Sequence, residues 1–124
     1  MTIREVSRKY GISQDTLRYY ERAGLIPPVT RTEGGVRNYT ENDLKWVELV
    51  KCMRSAGLPV ESIIRYVSLF QQGDATLSQR LELLRDQRQT LLAQREQIDV
   101  TLQRLQCKIE RYEKAVETGK LSWD

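Results

Sequence analysis

Apolar residues recur every three or four positions through most of this chain, and the breaks in that rhythm mark its elements. Thr2 followed three residues later by Glu5 has the form of a capping box, and Ile3, Val6 and Tyr10 then repeat at helical spacing. A first helix is expected from about Ile3 to Tyr10. Gly11 supplies a turn and Ser13 an N-cap. Gln14 to Ala23 read as a second helix, closed by Gly24 and kept closed by Pro27 and Pro28. Two short helices across a glycine turn make a helix-turn-helix. From Thr30 to Tyr39 the rhythm changes to Arg, Thr and Val around Glu33, Gly34 and Gly35, which suits a tight β-hairpin because glycine accepts the positive φ such turns need. The flanks are short, so this is a wing and not a sheet. Thr40 with Asp43 caps a third helix carrying Leu44, Val47, Val50 and Met53 and ended by Gly57. Pro59 opens a fourth, carrying Val60, Ile63, Ile64, Val67 and Phe70 and ended near Gly73. These two helices are expected to supply most of the core of the head.

Thr76 and Gln79 read as the cap of a last, long helix. In it Leu77, Leu81, Leu84, Arg88, Leu91, Arg95, Ile98, Leu102, Leu105, Ile109, Tyr112 and Val116 fall at alternating spacings of four and three. Such a seam argues for a coiled coil, with Leu81, Leu84, Leu91, Ile98, Leu102, Leu105 and Ile109 as its dimerisation contacts. A helix of that length reaches about 60 Å, enough to hold two heads roughly two turns of duplex apart. The pattern leaves open whether the pair is parallel or antiparallel. It also leaves three roles for Arg88 and Arg95: fixing register, meeting acids such as Glu96 and Asp99, or lying under the heads. The expected architecture is mainly α. A winged helix-turn-helix head of four helices and a short hairpin covers residues 1–73, a dimerisation helix 74–118 and a tail 119–124.

Charge sharpens the division. The 124 residues carry a net charge of +3, and residues 1–72 hold eleven Lys/Arg against eight Asp/Glu, whereas residues 73–124 hold nine of each. All of the excess lies on the head, where it is a weak pointer to nucleic acid. No run is apolar and long enough to cross a bilayer, and the charged N-terminus does not read as a secretory signal, so the cytoplasm is expected. Cys52 and Cys107 lie in different helices without metal-type spacing, and the chain has no His. Neither a disulfide framework, a preformed metal site nor a resident cofactor is indicated, and with no phosphate-cradling loop or nucleophile beside a base an enzyme is the least favoured class.

Leu17 and Tyr20 share the inward face of the second helix with Leu25 just beyond it, which leaves Gln14, Asp15, Thr16, Arg18, Tyr19 and Arg22 on faces able to approach a duplex, with Arg31, Arg37 and Tyr39 on the wing. Arginine forks onto guanine or phosphate, and tyrosine offers phosphate a hydroxyl. Tyr20 and Tyr39 have an equally good alternative as packing aromatics. The run RYYERAGLIPP, Arg18 to Pro28, followed by GGVRNYT, Gly34 to Thr40, resembles the signature of MerR-family transcription regulators, and the resemblance covers essentially the whole chain. It implies a homodimer with an antiparallel coiled coil that binds a palindromic operator in double-stranded promoter DNA. It also implies DNA contacts at Thr16, Arg18 and Tyr19 and on the wing at Arg37 and Tyr39. The dimer is expected to bend and untwist the spacer so that RNA polymerase, engaged only indirectly, meets both promoter elements, which makes it an activator.

The resemblance also frames what is sensed. Metal-responsive members place several Cys at the start of the long helix and beyond it, where this chain has none; drug-responsive members carry a further ligand domain, and the sequence stops at Asp124. Both classes are disfavoured. The segment KCMRSAG resembles the aldehyde- and electrophile-responsive branch, the NmlR and AdhR type, which has its thiol at this place on the third helix. Cys52, between Lys51 and Met53 and close to Arg54, is the expected sensor of this stress, since positive charge favours the reactive thiolate. An inert core cysteine is the plain alternative, and Cys107 is read as incidental. Two other functions remain: the same DNA binding governed by a noncovalent ligand lodged among the third, fourth and long helices, and an architectural or adaptor protein that only bends DNA.

Overall fold

The computed structural model describes residues 1–122, so the last two residues of the expected tail lie outside the described residues. Its five α-helices are α1 (Ile3–Tyr10), α2 (Gln14–Ala23), α3 (Glu41–Ser55), α4 (Val60–Gln71) and α5 (Leu77–Thr118), with a single 3₁₀ turn at Asp74–Thr76 before the last. The first two match their expected limits residue for residue. In α1 the Thr2 hydroxyl accepts from the Glu5 amide at 3.2 Å while the Glu5 carboxylate accepts from the Thr2 amide at 3.1 Å, so two otherwise orphaned donors are satisfied. Gly11 at φ 66° ends the helix in the left-handed region, and Ser13 then caps α2 by accepting from the Thr16 amide.

The wing is smaller than a hairpin of strands. Among the described residues its ladder is one antiparallel bridge between Arg31 and Arg37, closed by Thr32 N–H donating to Val36 O at 2.8 Å, with Gly35 turning at φ 81°. The base of the wing is fastened to the N-terminus of α3. The Asp43 carboxylate accepts from the Thr40 amide at 2.9 Å, the Thr40 hydroxyl at 3.0 Å and the Thr30 amide at 3.3 Å.

Thirteen buried apolar side chains form one core: Val6, Ile12, Leu17, Tyr20, Leu25, Ile26, Val29, Tyr39, Trp46, Val47, Val50, Ile63 and Val67. Only five of them come from α3 and α4, which corrects the expectation that those helices supply most of the core. The connector after α2 turns inward through Leu25, Ile26 and Val29, and its backbone turns back on α2 as Leu25 N–H donates to Tyr20 O at 2.8 Å. What α3 and α4 mainly provide is the half-buried rim, with Leu44, Leu49, Met53, Val60, Ile64 and Tyr66 packed against that centre.

Thr76 does not cap α5 with Gln79 as expected. Its hydroxyl donates instead to Leu69 O at 2.6 Å and lies 2.8 Å from Gly73 O, while accepting from Arg80 Nε at 3.1 Å. It thereby ties the end of α4 to the first turns of α5. The chain divides into a compact unit, Met1–Arg85, and a second unit beginning at Asp86, and α5 contributes residues to both. Leu83, outside the periodic seam, is buried in the first unit. The apolar seam positions of α5 are all exposed, from 36% at Leu91 to 83% at Val116. No helix of the described residues is long and apolar enough to cross a membrane.

Candidate nucleic-acid interface

The outward face of α2 is built by subtraction: Leu17 and Tyr20 are taken into the core, and the residues between and around them are left outside. Gln14 and Thr16 are half-buried in the first turn. There Ser13 Oγ donates to Thr16 Oγ1 at 2.8 Å, and Gln14 Oε1 accepts from Arg18 Nη2 at 3.4 Å. Arg18 also donates to Asp15 Oδ1 at 3.0 Å. Tyr19 is exposed, and the Arg22 guanidinium lies 5.7 Å from its ring centre, a cation–π pair that holds both on the surface. Gln14, Thr16, Arg18, Tyr19 and Arg22 thus occupy one outward surface of one helix.

Arg31 and Arg37 are brought to that helix by a residue that the sequence reading passed over. The Glu21 carboxylate accepts from Arg37 Nε at 2.7 Å, lies 3.6 Å from Arg31 Nη2, and takes the Val29 amide at 2.8 Å. The signal available in the sequence was a lone acid inside the otherwise basic run RYYERAG. Tyr39 lies apart from the surface. It is 2% exposed and packs in the core, and its hydroxyl is covered without a hydrogen-bond partner among the described residues. Of the two readings open for it, the packing one describes its surroundings. Burial raises the Tyr39 phenol above its ordinary range, with Arg37 acting in the opposite sense. At Asp43 burial pushes the carboxyl up, but the hydrogen bonds from Thr40 and Thr30 outweigh it and hold the group below the usual carboxylate range.

Cys52 and Cys107 are both exposed free thiols. The cations flanking Cys52 in sequence are directed elsewhere, Lys51 Nζ to Tyr10 O at 2.6 Å and Arg54 Nη1 to Leu58 O at 2.7 Å. Both nearby charges expected to favour the thiolate thus hydrogen-bond to backbone carbonyls. A shallow groove of about 220 Å³ lies beside this helix, lined by Asn42, Lys45, Trp46, Leu49, Tyr66 and Phe70. Trp46 and Phe70 meet edge to face in it, with ring centres 4.9 Å apart. Among the described residues no three His, Cys, Asp or Glu side chains cluster as a metal site would require.

Comparison with known proteins returns one family twice over. The family described as MerR HTH family regulatory protein matches residues 1–69, and that described as MerR, DNA binding matches residues 44–107. The transcriptional regulator AdhR of Bacillus subtilis is 51% identical over 92 residues, which cover 74% of this chain and 66% of AdhR. A crystal structure of a MerR family regulator from Listeria monocytogenes superposes with a TM-score of 0.91 at 44% identity, over 96% of this chain and 90% of that one. HiNmlR, a MerR family regulator lacking the sensor domain and crystallised on promoter DNA, superposes with a TM-score of 0.85 at 34% identity, over 96% of this chain and 94% of its own.

Proposed function

The chain belongs to the MerR family of helix-turn-helix regulators, DNA-binding transcription regulators and not enzymes, and from that premise we propose that it acts as a homodimer on a palindromic promoter and activates transcription in answer to aldehydes or related electrophiles. One observation carries the DNA surface: Arg18, Tyr19 and Arg22 stand outward on α2, and the wing arginines are latched to that same helix through Glu21. A recognition helix and a wing held together grip adjacent parts of one duplex. Gln14 and Thr16 at the start of α2 join them as contacts. The promoter-bound state of HiNmlR supports the same partner here.

In this reading residues 1–73 serve as the DNA-binding head, 74–118 as the pairing helix and 119–124 as a tail. The exposed apolar seam of α5 supports pairing, because a stripe of that kind is covered in water by another apolar surface. Two heads fixed on one coiled coil strain the promoter, so RNA polymerase feels the regulator through the DNA and not by direct contact. Cys52 is the sensor: its exposure admits an electrophile, and similarity to AdhR over 74% of the chain supports the branch. Cys52→Ser is expected to bind operator within about twofold of wild type while losing induction by aldehyde in a transcription assay. An undiminished response in that variant removes the sensing role and leaves the DNA binding standing.

A second reading has its own observation. The groove beside α3, with aromatic walls and Lys45 at its edge, suits a small noncovalent ligand carrying an apolar ring and an anion. Full thiol alkylation without effect on transcription, together with loss of induction in Tyr66→Ala, favours this reading over the first.

A further inference from the structure

The wing arginines are organised around one acid of α2, Glu21. Glu21 has a side chain 12% exposed and gathers donors from both arms of the wing. Val29 N–H leads into the first arm and donates to Oε2, while Arg31 and Arg37, the bridged pair, both face Oε1. Arg31 is pinned a second time, through Nη1 to Gly35 O at 2.9 Å across the turn. The pair with Arg37 is the stronger of the two, being 2.7 Å long with the arginine side chain 24% exposed, against 3.6 Å and 44% for Arg31. Two positive charges therefore share one negative charge, and that charge is carried by the helix that presents Arg18 and Arg22.

We propose that Glu21 is a positioning residue that sets how sharply the protein tells its operator from other DNA, because it registers the wing against α2 and withholds positive charge from indiscriminate contact with phosphate. The proposal rests on the reading of α2 and the wing as the DNA surface. Contacts to phosphate raise affinity for every duplex alike, whereas discrimination needs helix and wing to meet bases and backbone in one fixed register. A wing freed from Glu21 lets two arginines follow phosphates on any sequence. A latched wing meets the backbone only where the duplex has the matching shape. Arginines ordered in advance also lose less conformational entropy on binding the correct site. Glu21 touches neither bases nor phosphates in this scheme and acts wholly through Arg31, Arg37 and Val29.

Glu21→Gln tests this, since the amide keeps the length and an oxygen for the Val29 N–H but removes the charge. Wild-type protein is first used to select a duplex from a randomised pool, and the affinities of both proteins for the selected and a scrambled duplex are then measured over a salt series. The variant is expected to bind the scrambled duplex about three- to tenfold more tightly at low salt, with a log–log salt slope steeper by about one phosphate contact. Its selected-to-scrambled ratio is expected to fall about tenfold, and by less than about twofold when the substitution is made on an Arg37→Gln background. Glu21→Asp keeps the charge but draws it back by one methylene, and is expected to lower the ratio without steepening the slope. An unchanged ratio in either variant overturns the proposal. So does an equal loss of affinity on both duplexes with a lowered melting temperature, the mark of a purely structural role. If wild-type protein selects no duplex at all, the DNA-binding reading itself fails and takes this proposal with it.

Discussion

Arg18 donates to Asp15 across one turn of α2, and the two side chains are 43% and 97% exposed. An exposed pair of this kind contributes at most about 1 kcal/mol, so guanine or phosphate can take the arginine without loosening the fold. Arg18→Ala is accordingly expected to leave the melting temperature within about 2 °C of wild type, because nothing buried is disturbed. It is expected to cut the selected-to-scrambled affinity ratio about ten- to a hundredfold, the worth of one bidentate base contact. A loss equal on every duplex, measured by the same titrations, moves Arg18 to the phosphate contacts. Tyr39 belongs to the opposite category. With its ring in the core, its removal acts on the packing behind the wing and not on a surface offered to DNA. The two residues stand in equally suggestive motifs, and only burial separates them.

Among the elements, the junction of wing and α3 turns on one carboxylate. Asp43 caps α3 with Thr40 and also holds the Thr30 amide, so helix start and wing base share a single acceptor. Its folded-state pKa is depressed, so the native state favours the carboxylate. That contribution is complete above the ordinary aspartate value and is lost as pH falls through it towards the lower folded value. Wild-type melting temperature is expected to drop between about pH 5 and pH 3. Asp43→Asn, which keeps an oxygen but turns charge-assisted hydrogen bonds into neutral ones, should start about 1 kcal/mol less stable at neutral pH and show a flatter acid limb in thermal melts. A limb as steep as that of wild type places the acid sensitivity elsewhere. Caps of this kind are local, which is why Thr2–Glu5 and Thr40–Asp43 were legible in the sequence together with the limits of α1 and α2. What stayed hidden depends on tertiary partners. The Glu21 latch joins residues up to 16 positions apart, the burial of Ile26 and Val29 follows no helical period, and Thr76 found Leu69 and Gly73 in place of the expected cap with Gln79.

The whole molecule carries one feature that a single copy cannot satisfy. Along α5, Leu81, Leu84, Leu91, Ile98, Leu102, Leu105 and Ile109 remain exposed, while Leu83, one residue off the seam, is buried in the unit that ends at Arg85. The helix thus gives Leu83 to the compact unit and leaves its periodic stripe for another surface. Burying each such side chain is worth roughly 1.5–3 kcal/mol. That value is for burial from full exposure, and these side chains are 36–58% exposed in the single chain, so seven positions on each of two chains supply roughly 10–20 kcal/mol, enough to offset the estimated 4–15 kcal/mol cost of association. Pairing follows if the partner is a second copy, and the charge balance of residues 73–124, nine of each sign, presents no net repulsion to it. Replacing Leu102 and Leu105 together by Glu places four like charges in the joined seam but alters only exposed positions of the single chain. Sedimentation equilibrium is expected to show a dimer for wild type and a single chain for the double variant at micromolar concentration. Near-ultraviolet dichroism of the head should be unchanged, and affinity for the selected duplex should fall at least about a hundredfold, because two half-sites are no longer bound by one molecule. If the wild-type protein sediments as a single chain at concentrations where it retards the duplex, the paired arrangement is wrong, and the exposed stripe of α5 must be covered by a different protein.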